Sequence, residues 1–163
     1  MESYAKELVD ALTASGCKIA AAESCTGGLI AKLLTDVPGC SAVLDFSAVT
    51  YANAAKSGVL NVPEDLLERY GAVSAPVVCC MANGIRAFSG ADFGVATSGI
   101  AGPDGGSPEK PVGTVYIAVA ADGYVWVRHG RFDPSHTREE IRCEAARTAL
   151  EMALKAVRRA QKK

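Results

Sequence analysis

The run Glu23-Ser24-Cys25-Thr26-Gly27-Gly28 gathers a serine, a cysteine, a threonine and two glycines at one point of the chain. It follows the small apolar stretch Lys18-Ile19-Ala20-Ala21-Ala22 and precedes a helical pattern that starts near Leu29. The spacing predicts a buried strand that turns into a helix there. Glycines let the backbone approach a ligand closely, and a helix start presents amide N–H groups with no intrahelical partner. Nucleophile, oxyanion donors and an anion-binding turn made by Thr26, Gly27 and Gly28 can share such a corner. A lone serine ahead of a helix ordinarily caps it. Here Thr26 is the expected N-cap, which leaves Ser24 as the candidate nucleophile.

A serine nucleophile needs a base. His129 falls in an alternating, strand-like stretch and His136 in a polar loop, and both read as surface residues. Neither adjoins a glycine-rich turn, so a Ser-His-Asp arrangement has little support. Lys56 is the alternative: it follows Thr50-Tyr51-Ala52-Asn53, and its companions Ala54, Ala55, Ser57, Gly58 and Val59 include no acid. Desolvation there would lower its pKa, as acceptance of a serine proton near neutral pH requires. Cys25, which sits beside Ser24, is an alternative nucleophile.

Two features offer anion binding. The loop Ser98-Gly99-Ile100-Ala101-Gly102-Pro103-Asp104-Gly105-Gly106 carries four glycines beside Ser98 and Asp104. Successive N–H groups in such a loop form a nest for a phosphate or an oxyanion, although a plain mobile connection would look similar. Arg138 and Arg142 stand one turn apart at the start of the last helical pattern, where positive charge opposes the helix dipole. Their compensating anion is either a substrate phosphate or the adjacent Glu139 and Glu140. Asp104 and Glu23 are candidate orienters of the site, or simply hold turns.

These features need a scaffold, and the composition bounds it. The chain has 163 residues, 49% of them apolar, with 17 basic against 18 acidic side chains and a net charge of −1. That length suits one domain over 1–163, and the charge balance gives no broad cationic field for a nucleic acid. No apolar run reaches membrane-spanning length, and Met1-Glu2-Ser3-Tyr4 lacks the layout of a secretory signal. A cytoplasmic enzyme without a membrane partner is the expectation. The six cysteines form no C-x-x-C pair and only two histidines accompany them, so no metal site is expected.

Tyr4, Leu8 and Leu12 predict a first helix ending at Ser15-Gly16. A strand over 18–23, a helix over 28–36 with Leu29, Leu33 and Leu34 inward, and a strand over 43–51 follow. Short helices are predicted over 53–59 and 63–70, and a longer one from Ser74-Ala75-Pro76 to about Phe88. Asp92 to Thr97 reads as a third strand. The stretches 112–121 and 124–132 alternate about Asp122-Gly123, a hairpin signal. Thr137-x-x-Glu140 is a capping box that opens the final helix, with a frayed, solvated end expected over 158–163. The pattern predicts a three-layer α/β/α domain on a mixed sheet with a late antiparallel hairpin.

The Glu23–Gly28 motif, Val49-Thr50-Tyr51-x-Asn53-x-x-Lys56, Gly71-Ala72-Val73-Ser74 and the 98–106 loop, with Lys110-Pro111-Val112-Gly113-Thr114-Val115, carry a family likeness. Over almost its whole length the chain resembles the CinA C-terminal domain family. The resemblance implies a three-layer α/β/α fold, a stand-alone form without the family's additional N-terminal domain, and assembly as a homo-oligomer. It further implies hydrolysis of nicotinamide mononucleotide to nicotinate mononucleotide and ammonia, in pyridine-nucleotide recycling, without a cofactor. Ser24 matches the nucleophile and Lys56 the base, and Tyr51 in the same motif would position either group. The alternative is a non-catalytic, nucleotide-binding regulatory module of the competence/damage-inducible type. One departure stands out: the family's short Phe-x-Gly turn before the final helix is replaced here by the longer Phe132-Asp133-Pro134-Ser135-His136-Thr137-Arg138.

Overall fold

The alternating stretches of the sequence assemble into one five-stranded sheet. The structure is a computed structural model and describes residues 2–161. Its strands are β1 (Ile19–Glu23), β2 (Leu44–Val49), β3 (Phe93–Gly99), β4 (Thr114–Ala121) and β5 (Tyr124–Arg131). They lie in the order β2-β1-β3-β4-β5. β1 pairs in parallel with β2 and β3, whereas β4 runs antiparallel to both β3 and β5. The helices are α1 (Glu2–Ser15), α2 (Leu29–Thr35), α3 (Asn53–Leu60), α4 (Glu64–Tyr70), α5 (Ala75–Ser89) and α6 (Arg138–Ala160). α1, α2 and α6 cover one face of the sheet, and α3, α4 and α5 the other, which makes the predicted three-layer α/β/α sandwich.

The two faces differ in side-chain size, and the difference follows from strand alternation. Toward α1 and α6 the strands present Ile19, Phe93, Val95, Val115, Ile117 and Val119. Toward α5 they present Ala20, Ala22, Ala96, Ala118 and Ala120. Small residues let α5 lie almost on the backbone: a Cβ at Gly94 of β3 would stand 2.1 Å from the Ala82 carbonyl oxygen. α5 in turn receives α3 at Gly84, where a Cβ would fall 2.1 Å from the Leu60 carbonyl oxygen. The seating of α3, and so of Lys56, depends on this close approach.

The hairpin, the capping box and the helix stops lie where the patterns place them, within two residues. Two expectations are corrected. In α2 the deepest side chains are Ile30, Leu33 and Leu34, while Leu29 is only half-buried. The end of α6 does not fray at Arg158: the helix continues to Ala160, Arg158 pairs with Glu7 of α1 at 2.8 Å, and Arg159 lies over the rings of Tyr124 and Trp126. Contacts to α1 and β5 hold that last turn, and no local signal announces them. Lys162 and Lys163 lie outside the described residues.

Gly84→Ala should destabilise the protein by about 3 kcal/mol, the upper range for overpacking against an unyielding neighbour. A lower urea midpoint with an unchanged slope is the expected result.

Candidate active site

The site forms where two parallel strands send their chains to opposite faces. β1 leads through Ser24–Gly28 to α2 on one face, and β2 leads through Thr50–Ala52 to α3 on the other. A crevice at the carboxyl ends of such strands is the usual ligand position in open α/β sheets. Ser24 and Lys56 meet there.

Lys56 Nζ lies 3.3 Å from Ser24 Oγ, 2.9 Å from the Thr50 carbonyl oxygen and 3.0 Å from the Tyr51 carbonyl oxygen. The lysine is 1% exposed and the serine 9%. Burial lowers the Lys56 pKa from the ordinary 10.5, against a smaller opposing effect of Cys25. A neutral amine has two N–H groups and one lone pair. With the two N–H groups given to the carbonyls, the lone pair faces the serine hydroxyl, which can donate its proton to it. In the window between the lowered native value and 10.5, the unfolded chain holds more protons at this site than the folded one. The Lys56 contribution to stability therefore rises with pH across that window, and below it the buried amine is a constant penalty.

The corner that carries Ser24 is braced from three sides. The Ser24 amide donates to the Thr97 carbonyl at 3.0 Å, and the hydroxyls of Thr26 and Thr97 are 2.8 Å apart. Arg142 Nη2 donates to the Thr26 carbonyl at 2.7 Å, and a Cβ on Gly27 would lie 3.2 Å from that nitrogen. Gly27 and Gly28 turn the chain with φ of 60° and 95°, values that side-chain-bearing residues rarely adopt. The expected capping role of Thr26 is corrected here. Gly28 is the N-cap of α2 and makes no side-chain cap bond. The amides of Gly28 and Ile30 donate to Glu23 Oε2, both at 3.0 Å, and that of Ala31 to Glu23 Oε1 at 2.9 Å. The carboxylate arrives from the end of β1, farther upstream than any local cap, so a search of the helix boundary misses it. The same search gives no notice of Thr97, which stands beside Glu23 in the β1–β3 register.

The remaining expected residues divide. Tyr51 is 60% exposed, and its hydroxyl accepts from Arg138 Nη2 at 3.0 Å. Arg138 Nη1 donates to the Gly102 carbonyl at 2.8 Å, which joins the first half of the glycine-rich loop to the site. Arg138 and Arg142 line a cleft of 270 Å³ with Leu29, Glu139 and Cys143. Among the described residues neither arginine has a carboxylate partner: Glu140 is committed to the capping box with Thr137, and Glu139 lines the same cleft without an ion pair. Ser98 is buried and donates to the Ala72 carbonyl at 2.7 Å, and Gly99 packs on β4. Asp104, Gly105 and Gly106 lie on an exposed stretch of the loop. His129 stacks on Tyr116 and His136 lies 3.6 Å from Glu144. No group of three or more His, Cys, Asp and Glu able to hold a metal occurs among the described residues. No helix among them is long and apolar enough to cross a membrane.

Residues 1–157 match the CinA C-terminal domain family. A nicotinamide-nucleotide amidohydrolase PncC of Enterobacter agglomerans is 53% identical over 150 residues, covering 91% of this chain and 90% of that protein. A CinA-like protein of Syntrophotalea carbinolica is 50% identical over 92% of this chain and 36% of its own length. The chain spans roughly a third of the length of the CinA-like proteins it matches. Among solved structures, the competence/damage inducible protein CihA of Agrobacterium tumefaciens superposes with a TM-score of 0.93 at 46% identity, covering 96% of this chain and 94% of that one. A CinA-superfamily protein of Klebsiella pneumoniae gives 0.92 at 34% identity, over 97% and 98%.

Cys25 is buried, 5% exposed, and burial is the main cause of a thiol pKa pushed up to about 12. Such a thiol carries almost no thiolate near neutrality. Iodoacetamide at pH 8 should leave Cys25 unmodified in the native protein and modify it after unfolding in urea, read by peptide mass mapping.

Proposed function

The chain belongs to the CinA C-terminal domain family, and on that premise we propose that it hydrolyses the carboxamide of nicotinamide mononucleotide to nicotinate mononucleotide and ammonia through a Ser24/Lys56 pair. The observation that carries the reading is the buried Lys56 amine 3.3 Å from Ser24 Oγ. The PncC relative, matched over nine-tenths of its length, supports the substrate.

In this mechanism the Lys56 lone pair takes the Ser24 proton as Oγ attacks the carboxamide carbon. The developing oxyanion needs fixed donors, each worth roughly 3 kcal/mol in comparable acyl-transfer sites. The amides of Ser24, Gly27 and Gly28 already serve the Thr97 carbonyl, the Ser24 carbonyl and Glu23. The neighbouring amides of Cys25 and Thr26 donate to no backbone carbonyl among the described residues and face the Cys25 sulfur, a weak acceptor, and they take this role. The Lys56 ammonium then returns its proton to the leaving nitrogen, and ammonia departs. Water attacks the acyl-enzyme with Lys56 again as base, which releases nicotinate mononucleotide and restores the serine. Every proton is accounted for within the pair, so the chemistry calls for no cofactor.

The substrate phosphate belongs against Arg138 and Arg142, which face the crevice rim without carboxylate partners. Tyr51 links Arg138 to the carbonyl that holds Lys56, since its hydroxyl accepts from the one and its backbone oxygen from the other. The start of α2 is closed to an external anion because Glu23 fills it.

Ammonia release from nicotinamide mononucleotide tests the reading, run beside nicotinamide riboside, which lacks the phosphate. Ser24→Ala and Lys56→Met should each lower kcat by roughly a thousandfold or more, as loss of a nucleophile or its base does. The riboside should be a poorer substrate, with the loss mainly in KM. Ammonia release at the wild-type rate from Ser24→Ala refutes the mechanism, and no release from the wild-type protein refutes the activity.

A further inference from the structure

Glu23 takes no part in the proton transfers, yet among the described residues it is the one fully buried acidic side chain, and it stands at this corner. It is fully buried, at 0% exposure. Its backbone is fixed on both sides, since it pairs with Val49 of β2 and Thr97 of β3, and its carbonyl accepts from the Thr50 amide at 2.9 Å. Its carboxylate holds the amides of Gly28, Ile30 and Ala31. No cation pairs with it among the described residues. A buried carboxylate is unfavourable unless donors fill its acceptor sites, and here three amides at a helix start do so.

We propose that Glu23 is the positioning residue of the nucleophile: its carboxylate ties the start of α2 to the end of β1 and so sets the distance between Ser24 Oγ and Lys56 Nζ. The proposal rests on Ser24 being the nucleophile. Simple capping does not require this arrangement. A serine or aspartate at the helix boundary would satisfy the amide of Ile30 or Ala31 and leave the segment before it free. That segment, Ser24 to Gly28, ends in two glycines of positive φ, the residue type with the most backbone freedom to lose. Reaching across from the strand removes that freedom, because both ends of the segment then belong to one rigid unit. The Lys56 amine is held independently, by the Thr50 and Tyr51 carbonyls of the next connection. Fixing the serine relative to the sheet therefore fixes it relative to the base.

Glu23→Gln tests this. One oxygen becomes an NH2 group that faces amide donors and cannot accept from them, while size and shape are kept. The rate at which a serine-directed fluorophosphonate modifies Ser24, followed by intact-protein mass, reads the geometry without reference to any nucleotide. Circular dichroism and thermal melting report the fold in parallel. The folded variant should label roughly tenfold more slowly or worse, the scale expected when a reacting group is misplaced by a fraction of an ångström. Its kcat for ammonia release should fall by a similar factor with KM little changed. If Glu23→Gln does not fold, Glu23→Asp, which withdraws the charge by one methylene, should show the same slowed labelling. Labelling of either folded variant at the wild-type rate overturns the proposal and leaves Glu23 a cap for stability alone. A wild-type protein that takes no label at Ser24 overturns instead the nucleophile reading beneath it.

Discussion

The structure of the site turns on one amine kept out of water. Lys56 is among the largest fully buried side chains of the chain, and a lysine in that condition is rare without a purpose. Several influences compete at its nitrogen, a small one from Cys25 among them. The Thr50 and Tyr51 carbonyls favour the ammonium, because an extra proton strengthens both bonds, while exclusion of solvent favours the neutral form. Burial prevails, and the pKa falls below its ordinary value. In the neutral form that the proposed mechanism needs, the carbonyls act less as a counter-charge than as a guide, directing two hydrogens and leaving the lone pair for the serine. An amine with one acceptor fewer could rotate away, and one with a carboxylate beside it would hold its proton.

That environment is built by the sheet rather than by the site residues. The face of alanines and Gly94 admits α5 to the backbone, and Gly84 admits α3 to α5. α3 is thereby pressed down over the carboxyl end of β2, where its lysine enters the crevice between β1 and β2. The opposite face is filled by β-branched residues and Phe93 beneath α1 and α6, and α6 brings Arg138 to the Tyr51 hydroxyl and Arg142 to the Thr26 carbonyl. One asymmetry of side-chain size thus seats Lys56, and the helix at the other face supplies the cationic edge.

Much of this was legible in the chain. The period-2 stretches around Asp122-Gly123 fold as the hairpin β4–β5, since both the turn chemistry and the alternation are local. The Thr137/Glu140 capping box forms for the same reason. The crowding of polar and small residues at Ser24 and the small, acid-free surroundings of Lys56 marked both positions, and the two side chains lie 3.3 Å apart in the fold. What escaped was the long-range hydrogen bonding. Thr26 looked like a cap because caps are sought next to their helix, whereas the amides of α2 are served from the strand by Glu23. Arg142 looked like half of a phosphate clamp, but it also braces the Thr26 carbonyl across 116 positions of sequence. Arg158 and Arg159 looked solvated until α1 and β5 came alongside. Spacing reveals what neighbours in sequence can do, and these partners become neighbours only in the fold.

The claim on which all of this rests is an amine that is neutral when other lysines are charged. Titration of the Lys56 side chain by NMR, assigned through Lys56→Met and followed at the carbon bonded to Nζ, reads that state directly. The account predicts a titration midpoint clearly below 10.5, separate from the surface lysines. A Lys56 signal that titrates with the others, or above them, would contradict it, for a permanently charged amine has no lone pair to offer Ser24.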